Sequence, residues 1–296
     1  MNSFMLSFAG AMILSGTIGL VVYKLPLDPY TIAFFRCAGG FVTLSLVILA
    51  TRQWRLKTSS RKELKFLVLG GVALVLNWVA LFAAMKMTSI SVAVSLYYLA
   101  PLFVLVGGAV WLKDKITPSV VLRILMAFIG SILVAGLVES NIHIALGGVL
   151  LAIVAAVFYA SATLFGMSIQ EISSLQTAWA QTGIGALLLL PIIAIPENTF
   201  SETNIALLIT IGVVHTGVLY MLFFYGIRGM KTSMISLLAY LDPVMALLID
   251  CFILDNHLTG LQMTGVCFIF GALAMDMVLK RLLPGKLSFF VREGAR

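Results

Sequence analysis

The sequence predicts an all-α integral membrane protein of ten transmembrane helices, arranged as two inverted five-helix repeats. Three observations lead there: an apolar content that no water-soluble fold could hide, ten apolar runs of about spanning length, and a proline motif that recurs 142 residues later. Of 296 residues, 61% are hydrophobic and 10% charged, and the mean hydropathy is +1.11. A soluble domain is usually about 45–50% apolar and about 25% charged.

A span needs about 20 mostly apolar residues at about 1.5 Å rise each. On that measure segments fall near 4–22, 30–50, 64–85, 90–112, 118–138, 146–167, 177–195, 205–226, 233–254 and 258–279. The first is read as a mature helix, because no Lys or Arg comes before Lys24 to form the basic flank of a secretory signal. Turn chemistry separates the runs at Leu25-Pro26-Leu27-Asp28-Pro29, Thr58-Ser59-Ser60, Glu139-Ser140-Asn141, Pro196-Glu197-Asn198 and Asp255-Asn256-His257. Cys37, Cys251 and Cys267 lie inside apolar runs without metal-ligand spacing, so no disulfide framework, metal site or cofactor is expected.

The formal charge of +7 reads as topology rather than as nucleic-acid binding, since the cations lie in short patches between apolar runs. With both termini in the cytoplasm, sixteen Lys and Arg residues fall inside and only Lys24 and Lys86 outside, with Arg36 within a span. The expected location is therefore a bacterial-type inner membrane. The basic run from Arg52 to Lys65 and the tail could attract anionic lipid, although orientation alone explains them. Asp276 four residues before Lys280 suits a helix-surface ion pair.

Tyr98-Leu99-Ala100-Pro101 in the fourth span returns as Tyr240-Leu241-Asp242-Pro243 in the ninth. The same offset pairs Lys86 with Arg228, Trp78 with Tyr220, Ser91 with Ser233, Leu112 with Leu254, Thr117 with Thr259 and Phe128 with Phe270. Five spans per half force the second half to enter upside down. The loops agree: six cations follow span two, whereas Glu197 and Glu202 follow span seven. The expected divisions are residues 1–142 for the first repeat, 143–280 for the second and 281–296 for a basic cytoplasmic tail.

In this order the marks resemble the drug/metabolite transporter superfamily, specifically its ten-helix EamA-type members. They are Pro29 and Arg36, the stretch Ser91 to Pro101, the turn Lys113-Asp114-Lys115-Ile116-Thr117, then Gln181-Thr182-Gly183, Tyr240 to Pro243, and Asp255-Asn256-His257-Leu258-Thr259. The resemblance covers nearly the whole chain and implies a ten-helix transporter fold with a central cavity between the halves. It implies export of amino acids or other metabolites as a common activity and no particular substrate. The family usually has Glu where Asp114 and Asn256 stand, so a structural role for that Glu is expected to be weaker here.

An ionised group deep in a bilayer costs at least about 2.5–3.5 kcal/mol and should face a cavity or a partner. Asp242 lies about 14 Å into span nine and precedes Pro243, which cannot donate to the carbonyl one turn back. It reads as an acceptor for a substrate ammonium, as a proton carrier, or as a structural carboxylate. Pro101 and Pro243 read as hinges. Arg36, about 10 Å below the outer end of span two, reads as a structural ion pair with Asp250, or as a guanidinium for a substrate carboxylate. Tyr98 and Tyr240 read as cavity walls or packing, while Asn77, Trp78, Tyr220 and His215 add polar handles, His215 with capacity for proton coupling.

These readings converge on a secondary transporter that binds a small amino acid, amine or related solute near Asp242 and the two tyrosines and works by alternating access. Its partners would be a small-molecule substrate, protons and membrane lipid, with no nucleic acid, in a monomer or homodimer. No nucleotide-binding motif is present, so the energy must come from a gradient or from the substrate itself. An intramembrane enzyme would need paired catalytic groups, whereas His215, Asp242 and Asp250 are scattered. A receptor or assembly subunit would be expected to carry a soluble domain.

Overall fold

The computed structural model describes residues 2–54, 60–88, 90–136, 145–193, 200–253, 257 and 259–282. The turns at 139–141 and 196–198, Thr58, Ser59, Asp255, Asn256 and residues 283–296 of the tail lie outside the described residues, as do the side chains of Ser91, Asp276 and Lys280. Among the described residues all regular structure is helical. Seven helical segments are long and apolar enough to cross a membrane: Ser3–Val22, Pro29–Thr51, Arg61–Met87, Val92–Trp111, Leu146–Ser168, Glu202–Arg228 and Thr232–Ile253. Large apolar side chains point outward, with Leu46 61%, Leu187 72% and Phe252 79% exposed, which suits lipid as the surrounding solvent.

The helices are α1 (Ser3–Gly16), α2 (Ile18–Lys24), α3 (Pro29–Thr51), α4 (Arg61–Met87), α5 (Ile90–Tyr97), α6 (Ala100–Trp111), α7 (Pro118–Val134), α8 (Leu146–Ser168), α9 (Ser174–Leu189), α10 (Glu202–Gly212), a π turn (Val213–Val218), α11 (Leu219–Arg228), α12 (Thr232–Ala239), α13 (Leu241–Ile253) and α14 (Gly260–Leu282). Three of the expected spans fall short of the spanning length. Span five stops at Val134, where Gly136 takes a left-handed φ of +67°. Span seven stops at Leu189 because Pro191 cannot continue the ladder. Span ten has its apolar part in Gly260–Met275. Four other spans are not single α-helices end to end: the first breaks at Thr17, the fourth at Tyr98 and Leu99, the ninth at Tyr240, and the eighth carries the π turn.

Helix starts follow local chemistry. Asp28 caps α3 by accepting from the backbone N–H of Tyr30 (2.9 Å) and of Thr31 (3.1 Å), with Pro29 at the first helical position. Thr117 and Pro118 start α7 in the same way. Ser173 and Gln176 form a reciprocal capping box on α9.

The chain forms two compact units: Met1–Val79 with Ser161–Arg228, and Ala80–Ala160 with Gly229–Arg296. Each therefore takes helices from both sequence repeats. In the first unit α3 lies against its repeat counterpart α9. Cys37 faces Gly185, Phe41 faces Gly183, and Ser45 accepts from the Trp179 indole at 2.8 Å. Numbers rise along one helix as they fall along the other, so the pair is antiparallel. Glycines allow the closest approaches: a methyl placed on Gly39 would lie 2.7 Å from Gly212 Cα. The α1 helix packs on α11 through Phe8 with Phe223 and Phe4 with Tyr225.

In the second unit α7 and α14, again repeat counterparts, run antiparallel. Gly130 meets Gly265, and the Gln262 amide donates to the Val134 carbonyl at 3.5 Å. Around them Leu105, Ile124, Ala127, Leu237, Val244, Leu247 and Ile269 form one core with Tyr98 and Tyr240. Arg123, counted from sequence among the cytoplasmic cations, is only 3% exposed on α7, and its Nε donates to the Ser119 carbonyl at 3.1 Å.

Gly39→Ala should lower stability by about 1–3 kcal/mol through overpacking against backbone, whereas Gly19→Ala, with open space around it, should be neutral or slightly stabilising. Melting curves in detergent check both, and equal effects would rule out the close α3–α10 crossing. Burial pushes the Asp28 carboxyl up, but the Thr31 hydroxyl and the N–H groups of Thr31 and Tyr30 together hold it below its ordinary value. Its stabilisation is then fully present above the unfolded carboxylate pKa of about 3.9 and is lost as pH falls through the lower folded value. Asp28→Ala should cost about 1 kcal/mol near neutrality, and its Tm deficit should shrink below pH about 4; a deficit independent of pH would contradict this.

Candidate functional site

In the first unit the structure brings Arg36, Trp78, Tyr220 and His215 together. The Arg36 guanidinium carbon lies 3.9 Å from the Trp78 ring centre, and its Nη2 donates to the His215 backbone carbonyl at 3.2 Å. Trp78 meets Tyr220, its counterpart 142 positions on, edge to face with ring centres 5.4 Å apart. Asn77 is 1% exposed on the neighbouring position of α4. His215 sits in the π turn, a local widening that recurs at functional sites. Its Nε2 lies 2.7 Å from the Thr17 hydroxyl, which itself donates to the Leu14 carbonyl at 2.8 Å. The Nδ1 of the same ring lies 3.4 Å from the Thr210 carbonyl, so both imidazole nitrogens face oxygen partners, the Thr17 hydroxyl on one side and a backbone carbonyl on the other.

In the second unit Tyr98 and Tyr240, also 142 positions apart, meet directly. Tyr240 is fully buried, and its hydroxyl donates to the Tyr98 carbonyl at 3.2 Å, at the break between α5 and α6. Each break precedes a proline, Pro101 in the first turn of α6 and Pro243 in the first turn of α13. Proline at a helix start loses no in-helix hydrogen bond. Asp242 is half-buried in the first turn of α13, where the helix dipole favours negative charge. Asp250 lies two turns further along α13 and is also half-buried. It thus belongs to the second unit and Arg36 to the first.

The contacts of several further polar residues are visible only in three dimensions. The Glu63 carboxylate accepts from the backbone N–H groups of Gln170 (2.7 Å), Glu171 (2.9 Å) and Ile172 (3.3 Å). Arg228 donates to the Ile172 carbonyl and to the Thr177 hydroxyl. Together they hold the α8–α9 connection. Asp114 accepts from the Thr232 N–H (3.0 Å) and hydroxyl (2.8 Å), capping α12. The shorter Asp thus performs a structural role expected to be weak. Gln181 is fully buried and its amide has no hydrogen-bond partner in the protein, which costs about 1–3 kcal/mol per unpaired group. Ser95 and Ser236, one turn before the two breaks, are also buried with unpartnered hydroxyls. Nothing in the local sequence separates these residues from ordinary packing, because their surroundings come from remote segments.

Tyr240→Phe should remove one buried hydrogen bond and leave the Tyr98 carbonyl unpaired, lowering stability by about 1–3 kcal/mol. Melting curves check it. A Tm equal to that of the unaltered protein would show that the carbonyl does not depend on Tyr240.

Residues 2–136 and 146–277 match the EamA-like transporter family. The chain is 31% identical to an uncharacterized transporter, YxxF, of Bacillus subtilis (strain 168) over 274 residues, covering 92% of this chain and 88% of that one. An uncharacterized transporter of Archaeoglobus fulgidus is 27% identical over 262 residues, covering 87% and 90%. A solved crystal structure shares the fold with a TM-score of 0.82 at 19% identity, covering 96% of this chain and 99% of that one. Two family matches, one per repeat, and the apolar helices long enough to cross a membrane therefore agree: the chain belongs to the EamA-like transporter family and is a multi-pass membrane transporter of a small-molecule substrate.

Proposed function

We propose that the protein is a secondary transporter that exports a small amino acid, amine or related cationic or zwitterionic solute across an inner membrane by alternating access. The observation that carries this reading is the pair of interrupted helices. Two proline-marked breaks, 142 residues apart in sequence, occur at corresponding places in the two repeats and meet through the Tyr240–Tyr98 hydrogen bond. Broken helices at matching positions of two repeats are where transporters commonly hold solute. Asp242, in the first turn after one break, supplies an acceptor for an ammonium group, with Tyr98 and Tyr240 as its aromatic surroundings. Asn77, Trp78, Tyr220 and His215 are further solute contacts in the course of transport. A carboxylate stabilised by a helix N-terminus suits the ammonium acceptor better than a resident proton carrier, and His215 is the group assigned to proton coupling.

The antiparallel course of α3 with α9 and of α7 with α14 supports inverted repeats, and the apolar helices at all ten sequence positions support ten crossing segments. The sixteen-to-two cation asymmetry supports cytoplasmic termini.

Efflux from and uptake into proteoliposomes loaded with labelled amino acids and alkylamines tests the proposal. Asp242→Asn should lower kcat/KM for cationic and zwitterionic solutes by about a hundredfold, the loss of one charge-assisted hydrogen bond worth about 1.5–3 kcal/mol. The proposal fails if the variant carries them at the original KM and rate, or if no member of the panel crosses.

A further inference from the structure

The repeat relation isolates Gln181. Its counterpart 142 positions earlier is Gly39, and the counterpart of Gly70 is Gly212. Gly39 packs on Gly212, and Gln181 packs on Gly70, so these are the same crossing made twice within the first unit. At the first crossing the backbones touch, a methyl on Gly39 falling 2.7 Å from Gly212 Cα. At the second, the Gln181 amide fills the space that Gly70 leaves, its Nε2 standing where a Gly70 methyl would lie. Close packing of this crossing therefore requires no side chain at position 181.

The group that stands there is nonetheless a carboxamide, 0% exposed, with both its nitrogen and its oxygen unpartnered in the protein. A methionine would fill a similar volume without burying unpaired polar atoms. Gly70 and Gly71, facing Gln181 and Ile184, present no side chains that interlock with α9. The seam is thus smooth at these two positions, while on either side of them Val75 lies against Gly185 and Phe66 and Leu67 pack with Ala180.

We propose that Gln181 is a specificity-determining residue that contacts the solute when the seam between α4 and α9 loosens. Its carboxamide offers a donor and an acceptor side by side. The matching ligand class carries an acceptor and a donor on adjacent atoms, as an α-amino acid or an α-amino amide does. This inference rests on the reading that the transported solute is an amino acid or amine.

The test uses the full chain, purified in detergent and reconstituted, as the unaltered protein, Gln181→Met and Gln181→Gly, the last copying Gly39. Thermal shifts are read with a panel of proteinogenic amino acids, α-amino amides and alkylamines. Members that shift the unaltered protein are then assayed for transport. Ligand-free Gln181→Met should melt at or above the unaltered protein. Both variants should lose the ligand-induced shift, and KM should rise about tenfold or more, as for the loss of a hydrogen bond to ligand. Retained ligand shifts and KM in either folded variant overturn the inference, as does a ligand-free Gln181→Met that melts well below both other forms, since the amide would then be structural. If the unaltered protein itself responds to no panel member, the solute class is wrong, and the inference falls with it; a response shared by all three forms sinks the inference alone.

Discussion

Inside a bilayer, a backbone carbonyl that leaves the helical ladder has no water to accept from, so each irregularity must be answered by another part of the protein. Three of the irregularities in this chain obey that constraint with side chains. Tyr240 donates to the Tyr98 carbonyl at the α5–α6 break, Arg36 to the His215 carbonyl in the π turn, and the Thr17 hydroxyl to the Leu14 carbonyl at the α1–α2 break. The residues that allow the helices to be interrupted are thus among those that crowd the candidate sites. Irregular backbone and buried polar chemistry are one feature seen from two sides.

The two-fold relation between repeats explains where these residues meet. A residue lying on such an axis touches its own counterpart, as in an isologous interface. Gly40 with Thr182, Phe41 with Gly183, Trp78 with Tyr220 and Tyr98 with Tyr240 all do so. Each unit therefore has an aromatic pair on its axis. The ionisable and amide groups depart from the symmetry: Arg36 answers to Ala178, His215 to Ala73, Asp242 to Ala100 and Gln181 to Gly39. At these four positions the helix packing repeats between the halves, whereas the polar group occurs once.

Much of this was legible in the sequence because its causes are local or periodic. Apolar runs mark helices, Asp28-Pro29 and Thr117-Pro118 mark their starts, and the 142-residue echo brings the tyrosines and prolines into correspondence. The Thr17 break and the π turn were not legible, since a lone Thr or His in an apolar run is compatible with an unbroken helix. The contacts of Glu63, Asp114 and Gln181 were hidden for another reason. Their partners lie more than 100 positions away in sequence, and no pattern within one span announces them. The grouping into compact units was also invisible, because α4 and α8 each begin in one unit and end in the other, while the repeats divide the chain midway.

Within the second unit the symmetry is broken in a way that bears on solute class. Both α6 and α13 begin at a break, and both present the partial positive charge of a helix N-terminus there. In α13 the first turn holds Asp242, which offsets that charge and adds a net negative one. In α6 the matching position is Ala100, with no acidic residue in the first turn and no side-chain cap from Leu99. The two breaks, joined by the Tyr240–Tyr98 hydrogen bond, therefore differ in charge: one carries a carboxylate in its first turn and the other carries none. That difference in charge supports the cationic or zwitterionic solute proposed above over a plain anion. The single substitution of Asp for Ala between the repeats is sufficient to create that polarity.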